Sequence, residues 1–490
     1  MNLLKNDFAW LFITLAMVAF GLIVNITTIG LIIVVFLAVL TFFRKDLGLY
    51  MLLVYIPIRP FLTALNPGFK LIGDLIIFAL IAKTIYENRK NLKTLVHFEK
   101  LEVAYMSFLV IGSVSALING VSLNAIIFQL RTYVLFFLIY YVVKRMEISV
   151  KQLKKGAMIT FCTAIILSLQ GFVEKISDKT MLMPTEWQNW TLSPTNHVRV
   201  YGLLKGPNEF GLYLIIAFFI SLFLMKVVPK SKRWIIFAGS SIIAAAFLLT
   251  YSRGSLIALV IFALIYLVVY RSLNGLKKVI GIAATSVIIY FAITYASDLY
   301  INTVINNPET DLEQSIDDEG KKNNETNSTG INRYKEAFTG DTIQLSSETG
   351  RIYYVKKSIE VFKAYPIIGA GFGTFGGAAT LAYSSPIYDH FSIKTNFYSD
   401  NQYILVLAET GIVGVITLAV FVISLLLLTI QYIKRYKKSP IPIFLLYFLT
   451  TLVVGAAFYN ILENDTFMLY YFLLLAIAYG NKHLLDKGFE

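Results

Sequence analysis

Apolar blocks of roughly 17 to 25 residues recur along almost the whole chain, and that is the length a helix needs to cross a hydrocarbon core about 30 Å thick. No other feature limits the possible folds as severely. Window and length place about fourteen such blocks, at 8–24, 26–43, 49–65, 71–86, 101–118, 124–143, 156–173, 207–225, 234–250, 255–270, 279–296, 402–430, 441–459 and 466–480. The expected fold is an all-α polytopic membrane protein, with about 12–14 transmembrane helices and a large extracytoplasmic loop before the last three spans. Hydrophobic residues make up 57% of the 490 and charged residues 15%, where a soluble domain carries about 25% charged. The 402–430 block is long enough to tilt or to extend beyond the bilayer. The close pairs 8–24/26–43 and 234–250/255–270 could each form a re-entrant or broken element.

The formal charge of +13 raises the question of nucleic acid, which the distribution excludes. The basic residues sit in short clusters between apolar blocks, where the positive-inside rule accounts for them. With the N-terminus inside, the inner connections include "RKD" (44–46), "ENRKNLK" (87–93), "KRMEISVKQLKK" (144–155), "KVVPKSKR" (226–233), "RSLNGLKK" (271–278) and "IKRYKK" (433–438). The short outer connections "NGVSLN" (119–124) and "NILEND" (460–465) have no Lys or Arg. One alternation fits the whole chain and puts both termini in the cytoplasm. The first block, Phe8 to Ile23, lacks a small-residue cleavage site and reads as a retained helix. The single cysteine, Cys162, cannot form an intrachain disulfide.

Three regions follow. Residues 1–296 form an N-terminal membrane bundle with an outer loop at 174–206, residues 297–400 a large extracytoplasmic loop, and residues 401–490 the C-terminal transmembrane helices. In the large loop, "ETDLEQSIDDEGKKNNETNSTG" (309–330) is acidic and without apolar periodicity, so the first half reads as mobile. The second half carries order signals. Tyr354, Val355, Ile359 and Phe362 can share a helical face that Pro366 ends, and the glycines of "GAGFGTFGG" (369–377) make a turn that lets the loop pack closely over the membrane domain. No whole-chain repeat is evident, which weighs against transporters built from duplicated halves.

A few polar residues could carry chemistry. Arg253, in "TYSRGS", lies between two apolar blocks on the outer side. A guanidinium there can bind phosphate bidentately or simply reach lipid headgroups. "HVRVYGLLKGPNEFG" (197–211) offers Arg199, Lys205 and Asn208 just before a span, with Pro207 suited to a helix's first turn. Arg351 follows "SSETG" in the large loop. Asp400 and Asn401 open the long 402–430 block, where a carboxylate can cap the helix, handle a substrate, or both. Asp389 and His390 could be an acid/base pair. The histidines His97, His197, His390 and His483 are scattered over both sides, and no HExxH or paired-cysteine spacing points to a metal. No GxSxG elbow is present.

The order of these pieces resembles the O-antigen polymerase and O-antigen ligase superfamily of bacterial surface-polysaccharide enzymes. The resemblance runs through a "G…PNEFG" helix entry (Gly202, Pro207, Asn208), "YSRGS" (251–255), "GR" (350–351) opening the outer loop, "PIIGAGFGTF" (366–375) and "DNQYILVLAETGIVG" (400–414). Ligases of the family carry a histidine, then Asn, Ser or Gln, nine residues and a Gly-x-x-Gly. Here Asn401, Gly411 and Gly414 match, but Asp400 stands at the histidine position, which favours a polymerase.

The resemblance implies a multi-pass enzyme of the bacterial cell membrane acting on undecaprenyl-pyrophosphate-linked glycans, with no cofactor. It implies Arg253 and Arg351 as pyrophosphate ligands, with Arg199 assisting and Asn208 and Asn401 in the binding segments. It implies Asp400, or else His390, as the acid/base acting on the acceptor hydroxyl. Membrane lipids, a chain-length regulator and a flippase are the partners to expect. The alternatives are a ligase with a different acceptor and a lipid-linked oligosaccharide flippase. The richness in Ile, Lys and Asn suits an AT-rich Gram-positive genome, and hence a capsule, exopolysaccharide or teichuronic acid.

Overall fold

The computed structural model describes residues 7–181, 184–188, 192, 194–271, 275–305, 350–393, 397–437 and 439–486. The acidic stretch 309–330 lies outside them. Among the described residues there are helices and no strand. In chain order the principal ones are α1 (Asp7–Val24), α2 (Thr27–Phe43), α3 (Lys45–Leu65), α4 (Ile72–Asn88), α5 (Lys100–Ile118), α6 (Leu123–Val143), α7 (Val150–Ile176) and α8 (Pro207–Val227). There follow α9 (Arg233–Leu249), α10 (Arg253–Tyr270), α11 (Leu276–Tyr300), α12 (Arg351–Ala364), α13 (Ala378–Ala382), α14 (Gln402–Arg435), α15 (Ile441–Gly455) and α16 (Asp465–Gly480). Each predicted span coincides with one of these helices. Among the described residues, nine helices are long and apolar enough to cross a membrane, and four shorter apolar helices accompany them. The chain is a polytopic all-α membrane protein.

Three of the basic connections, 44–46, 87–93 and 144–155, meet at one end of the bundle, together with the segment after the last span. At the basic end Lys45 pairs with Glu87 at 2.9 Å, Arg145 donates to the carbonyls of Thr94, Leu95 and His97, and Asn481 donates to that of Met146. At the other end Gln129 donates to Glu463 at 2.5 Å and Arg199 to the carbonyl of Thr250 at 2.8 Å. The two ambiguous pairs are ordinary helices. Asn25 turns α1 into α2 with φ 49°, and Tyr251 turns α9 into α10 with φ 47°. Both α9 and α10 pack on α8.

The long block is broken rather than merely tilted. Gly411 has φ 57° and ψ −161° inside α14, a conformation that favours glycine. A break in a span frees backbone groups that lipid cannot satisfy. The large loop satisfies them: Ala370 and Gly371 donate to the carbonyls of Ala408 and Glu409, while Ile412 and Val413 donate to those of Pro366 and Ile367. Phe372, 1% exposed, sits where a side chain at Gly112 would stand. The glycine-rich turn is thus inserted into the bundle, between α5 and the broken α14. In α12 the inner face differs from the expected one. Tyr354 stacks on Phe397 at 3.9 Å, Ser358 donates to the carbonyl of Ile404 and Val361 is fully buried, while Ile359 is 43% exposed. The serine is compatible with burial because a backbone acceptor waits for it.

Candidate functional site

At the non-basic end, the loop before α8 is pinned first. The Glu174 carboxylate, at the end of α7, accepts the backbone N–H groups of Tyr201 and Gly202 and pairs with Lys179 at 2.5 Å. Lys179 in turn donates to the Arg199 carbonyl. Arg199, 6% exposed, is thereby held with Nε on the Thr250 carbonyl and Nη2 on Asn208 Oδ1 at 2.5 Å. Two predicted residues, Arg199 and Asn208, are therefore direct partners, and they lock the α8 opening to the α9–α10 turn. Ser252 continues the network to Asn208, Ser255 and the Tyr459 hydroxyl.

Arg253, the next residue, has a different setting. It is exposed at the first position of α10, and it makes no hydrogen bond or ion pair with any described residue. Its neighbour Gly254 packs on Phe458 and Tyr459. Arg351, at the start of α12, reaches the same place: its Nη2 lies 3.4 Å from the Phe458 carbonyl and 3.9 Å from Asp400 Oδ2.

Asp400 occupies the helix mouth with φ 47°, a left-handed conformation that aspartate tolerates better than most residues. The chain on either side is bolted down. Ser399 Oγ and the Asn401 N–H both donate to Asn460 Oδ1, and Gln402 N–H donates to the carbonyls of Ala456 and Tyr459. Asn401, not Asp400, caps α14, its Oδ1 accepting from Tyr403 and Ile404. Asp400 is left out of the cap, with its side chain 44% exposed. Partial burial raises its pKa above the usual aspartate value, and Arg351, Arg199 and Lys205 pull it back.

The glycine turn does not face an open phosphate site. Its successive N–H groups, from Gly373, Thr374 and Phe375, converge on Glu409 Oε1 at 2.9, 3.0 and 3.2 Å. An anion-binding nest is filled by the protein's own carboxylate. His390 lies on an exposed stretch whose neighbours run along α12: the Phe391 and Ser392 carbonyls accept from Lys357 and Tyr353. Among the described residues no contact joins His390 to Asp400 or to the arginines. An apolar cavity of about 170 Å³ lies toward the basic end, between Tyr50, Gly156, Phe223, Phe444 and Leu473. It contains none of the candidate residues.

Sequence reading passed over several charges inside the spans. Arg59 on α3 pairs with Asp465 at 2.7 Å, Arg131 on α6 holds Asp74 bidentately, and Glu463 gathers Gln129, Tyr398 and the N–H of Ala378. Glu209, in the first turn of α8, belongs here too. The available signal was that an ionisable residue within a span is costly and so calls for a partner or a function.

Residues 238–419 match the family model described as O-Antigen ligase. The match contains Arg253, Arg351, Asp400 and the glycine turn, but neither Arg199 nor Asn208. No curated protein matches the chain.

Proposed function

Starting from a chain that carries an O-antigen ligase family domain over residues 238–419, we propose that it joins undecaprenyl-pyrophosphate-linked oligosaccharide repeats into a cell-surface polysaccharide on the outer face of a bacterial membrane. Membrane enzymes of this family transfer glycans in surface-polysaccharide assembly. One observation carries the finer reading. Two uncommitted or loosely held guanidinium groups, Arg253 and Arg351, stand at the same end of the bundle as a partly buried carboxylate in a strained backbone.

The arginines take the pyrophosphate. Among the described residues none takes up a donor of Arg253, and its fork matches two phosphate oxygens at once. The 3.9 Å contact of Arg351 with Asp400 is half-exposed and weak enough to exchange for phosphate. Arg199 is a fixed positive charge that also faces Asp400. The isoprenyl tail runs along α10 and α11, the two spans least covered by the rest of the protein, below the hydroxyl contact of Tyr251 with Tyr290.

Asp400 takes the proton of the acceptor hydroxyl as that oxygen attacks the anomeric carbon of the donor. The new C–O bond forms as the bond from that carbon to the pyrophosphate oxygen breaks. The electron pair leaves with undecaprenyl pyrophosphate, whose charge the arginines stabilise. Attack opposite the leaving group inverts the anomeric centre. Burial of Asp400 suits a general base, because it strengthens the carboxylate's hold on a proton. Asp400 in place of the ligases' histidine supports a polymerase over a ligase. The alternation of basic connections supports cytoplasmic termini.

The test is a product-length assay with purified protein and a lipid-linked repeat, with Arg253→Ala as control. A ladder that the variant fails to make supports the polymerase. A single transfer to a different acceptor indicates a ligase. Movement of intact donor across liposomes without transfer overturns the proposal.

A further inference from the structure

Among the described residues at this end of the bundle, Glu209 is the one carboxylate that is partly buried and has neither a hydrogen bond nor an ion pair; Glu186, Asp298 and Asp389 also lack both but are exposed. Its buried peers are partnered: Glu174 by two backbone N–H groups and a lysine, Glu463 by Gln129, Tyr398 and Ala378, and Glu409, on one oxygen, by three backbone N–H groups. Glu209 is partly buried. A carboxylate partly withdrawn from water and without protein donors is held at a cost that hydroxyl donors of a ligand would relieve.

Its surroundings narrow what could complete it. The charges that face it are Lys205, Asp465 and Arg59. Arg59 is already committed to Asp465 at 2.7 Å. The Lys205 ammonium lies 5.5 Å from the centre of the Tyr398 ring rather than on the carboxylate. The Tyr398 hydroxyl donates a hydrogen bond to Glu463 at 2.7 Å, and both Glu209 and Asp400 act on it electrostatically. Glu209 and Asp400 therefore both lie within electrostatic reach of the same tyrosine. Glu209 follows Asn208 directly, and Asn208 is locked to Arg199, so the backbone carrying Glu209 is fixed.

We propose that Glu209, with Lys205 and the Arg59–Asp465 pair around it, forms a subsite for the acceptor sugar, the carboxylate accepting hydrogen bonds from its hydroxyl groups. This rests on the glycan-transfer reading above. A second anion is disfavoured, because Glu209 and Asp465 would repel it. A metal ion is disfavoured because Asp465 is neutralised by Arg59 and a lysine stands nearby. Neutral hydroxyl donors meet both conditions and supply what Glu209 lacks. Charge then divides the mouth: the donor's pyrophosphate takes the side of Arg253 and Arg351, and the acceptor takes the side of Glu209. Asp400 stands between them, where the proton moves. Glu209 is a binding residue and takes no part in bond making.

The experiment is a two-substrate titration on the full-length protein in nanodiscs. Lipid-linked repeat serves as donor and a short-chain lipid repeat as acceptor. Glu209→Ala is expected to raise the acceptor KM about tenfold, as for one lost charged hydrogen bond, with the donor KM and the melting temperature kept. Glu209→Gln, which retains an acceptor oxygen, should fall between. An unchanged acceptor KM in Glu209→Ala, or a parallel rise in both KM values with a lower melting temperature, overturns the subsite while leaving the transferase standing. A wild-type protein that transfers no glycan overturns both.

Discussion

Glu409 and Asp400 lie nine residues apart at the start of one helix, and their environments are opposite. Glu409 is 1% exposed and collects three backbone N–H groups on one oxygen. Around it the loop backbone fills the break at Gly411, donor for acceptor. Asp400 is 44% exposed, its nearest counter-charge 3.9 Å away. The hub gathers three backbone N–H groups on one Glu409 oxygen and, among the described residues, leaves the other buried oxygen without a partner. It behaves as architecture because it is closed to solvent and knitted to the loop backbone. The mouth has kept its groups available, as a site that must bind and release a charged substrate requires. A buried carboxylate tied to backbone N–H groups holds structure, and a half-exposed one beside loosely held cations is placed to meet a ligand.

Substitutions can break this comparison from either side. The largest effect is expected in the hub. Glu409→Ala strands three N–H groups, each worth about 1–3 kcal/mol when left unpaired, so the detergent-solubilised protein should melt well below wild type and lose activity with its fold. A variant that melts normally would remove the hub from the architecture.

Asp400→Asn should do the reverse, lowering the transfer rate by about 10²–10⁴-fold, the usual worth of a general base, without lowering the melting temperature. The pH dependence follows from the same group. Its folded pKa is raised by burial, so activity should fall on acidification through a pKa above the ordinary aspartate value of about 3.9. The folded state binds this proton more tightly than the unfolded state. Its contribution to stability is therefore present at low pH and lost as pH rises through the folded pKa. Melting curves of Asp400→Asn against pH should lack that component. An acid limb that persists in the variant's residual activity would assign the base elsewhere.

Arg253→Lys keeps the charge and loses the fork. Activity should drop by about tenfold or more, because a point charge cannot hold two phosphate oxygens in one plane. Normal polymer length in cells carrying only this variant would end the assignment. The smallest effect is expected at His390, which touches neither Asp400 nor the arginines. His390→Ala should leave product length unchanged, and a collapse of the ladder would move the acid/base there.

The sequence made some parts of the site more legible than others. Arg253 and Asp400 stood out because each interrupts an apolar pattern at a predicted outer boundary. The partnership of Arg199 with Asn208 was within reach, since they share one short segment. Arg59, Asp74, Arg131, Glu409 and Glu463 were not legible as a system. Their partners come from helices far apart in the chain, as with Gln129 and Glu463. The glycine turn was read correctly as a device for close packing. That its N–H groups enclose Glu409 could not be read, because the carboxylate lies on another helix.

The sequence by itself determined the spans and supplied the grounds for expecting their alternation and the end at which polar chemistry could gather. Hydrocarbon allows only long apolar helices, and the basic clusters mark one side. Tertiary structure alone decided which polar groups are occupied. Hydrogen bonding between distant segments consumed Glu409, Glu463 and Arg199 and left Arg253, Asp400 and Glu209 available. That division depends on distances of about 3 Å between residues tens to hundreds of positions apart, which no local pattern encodes.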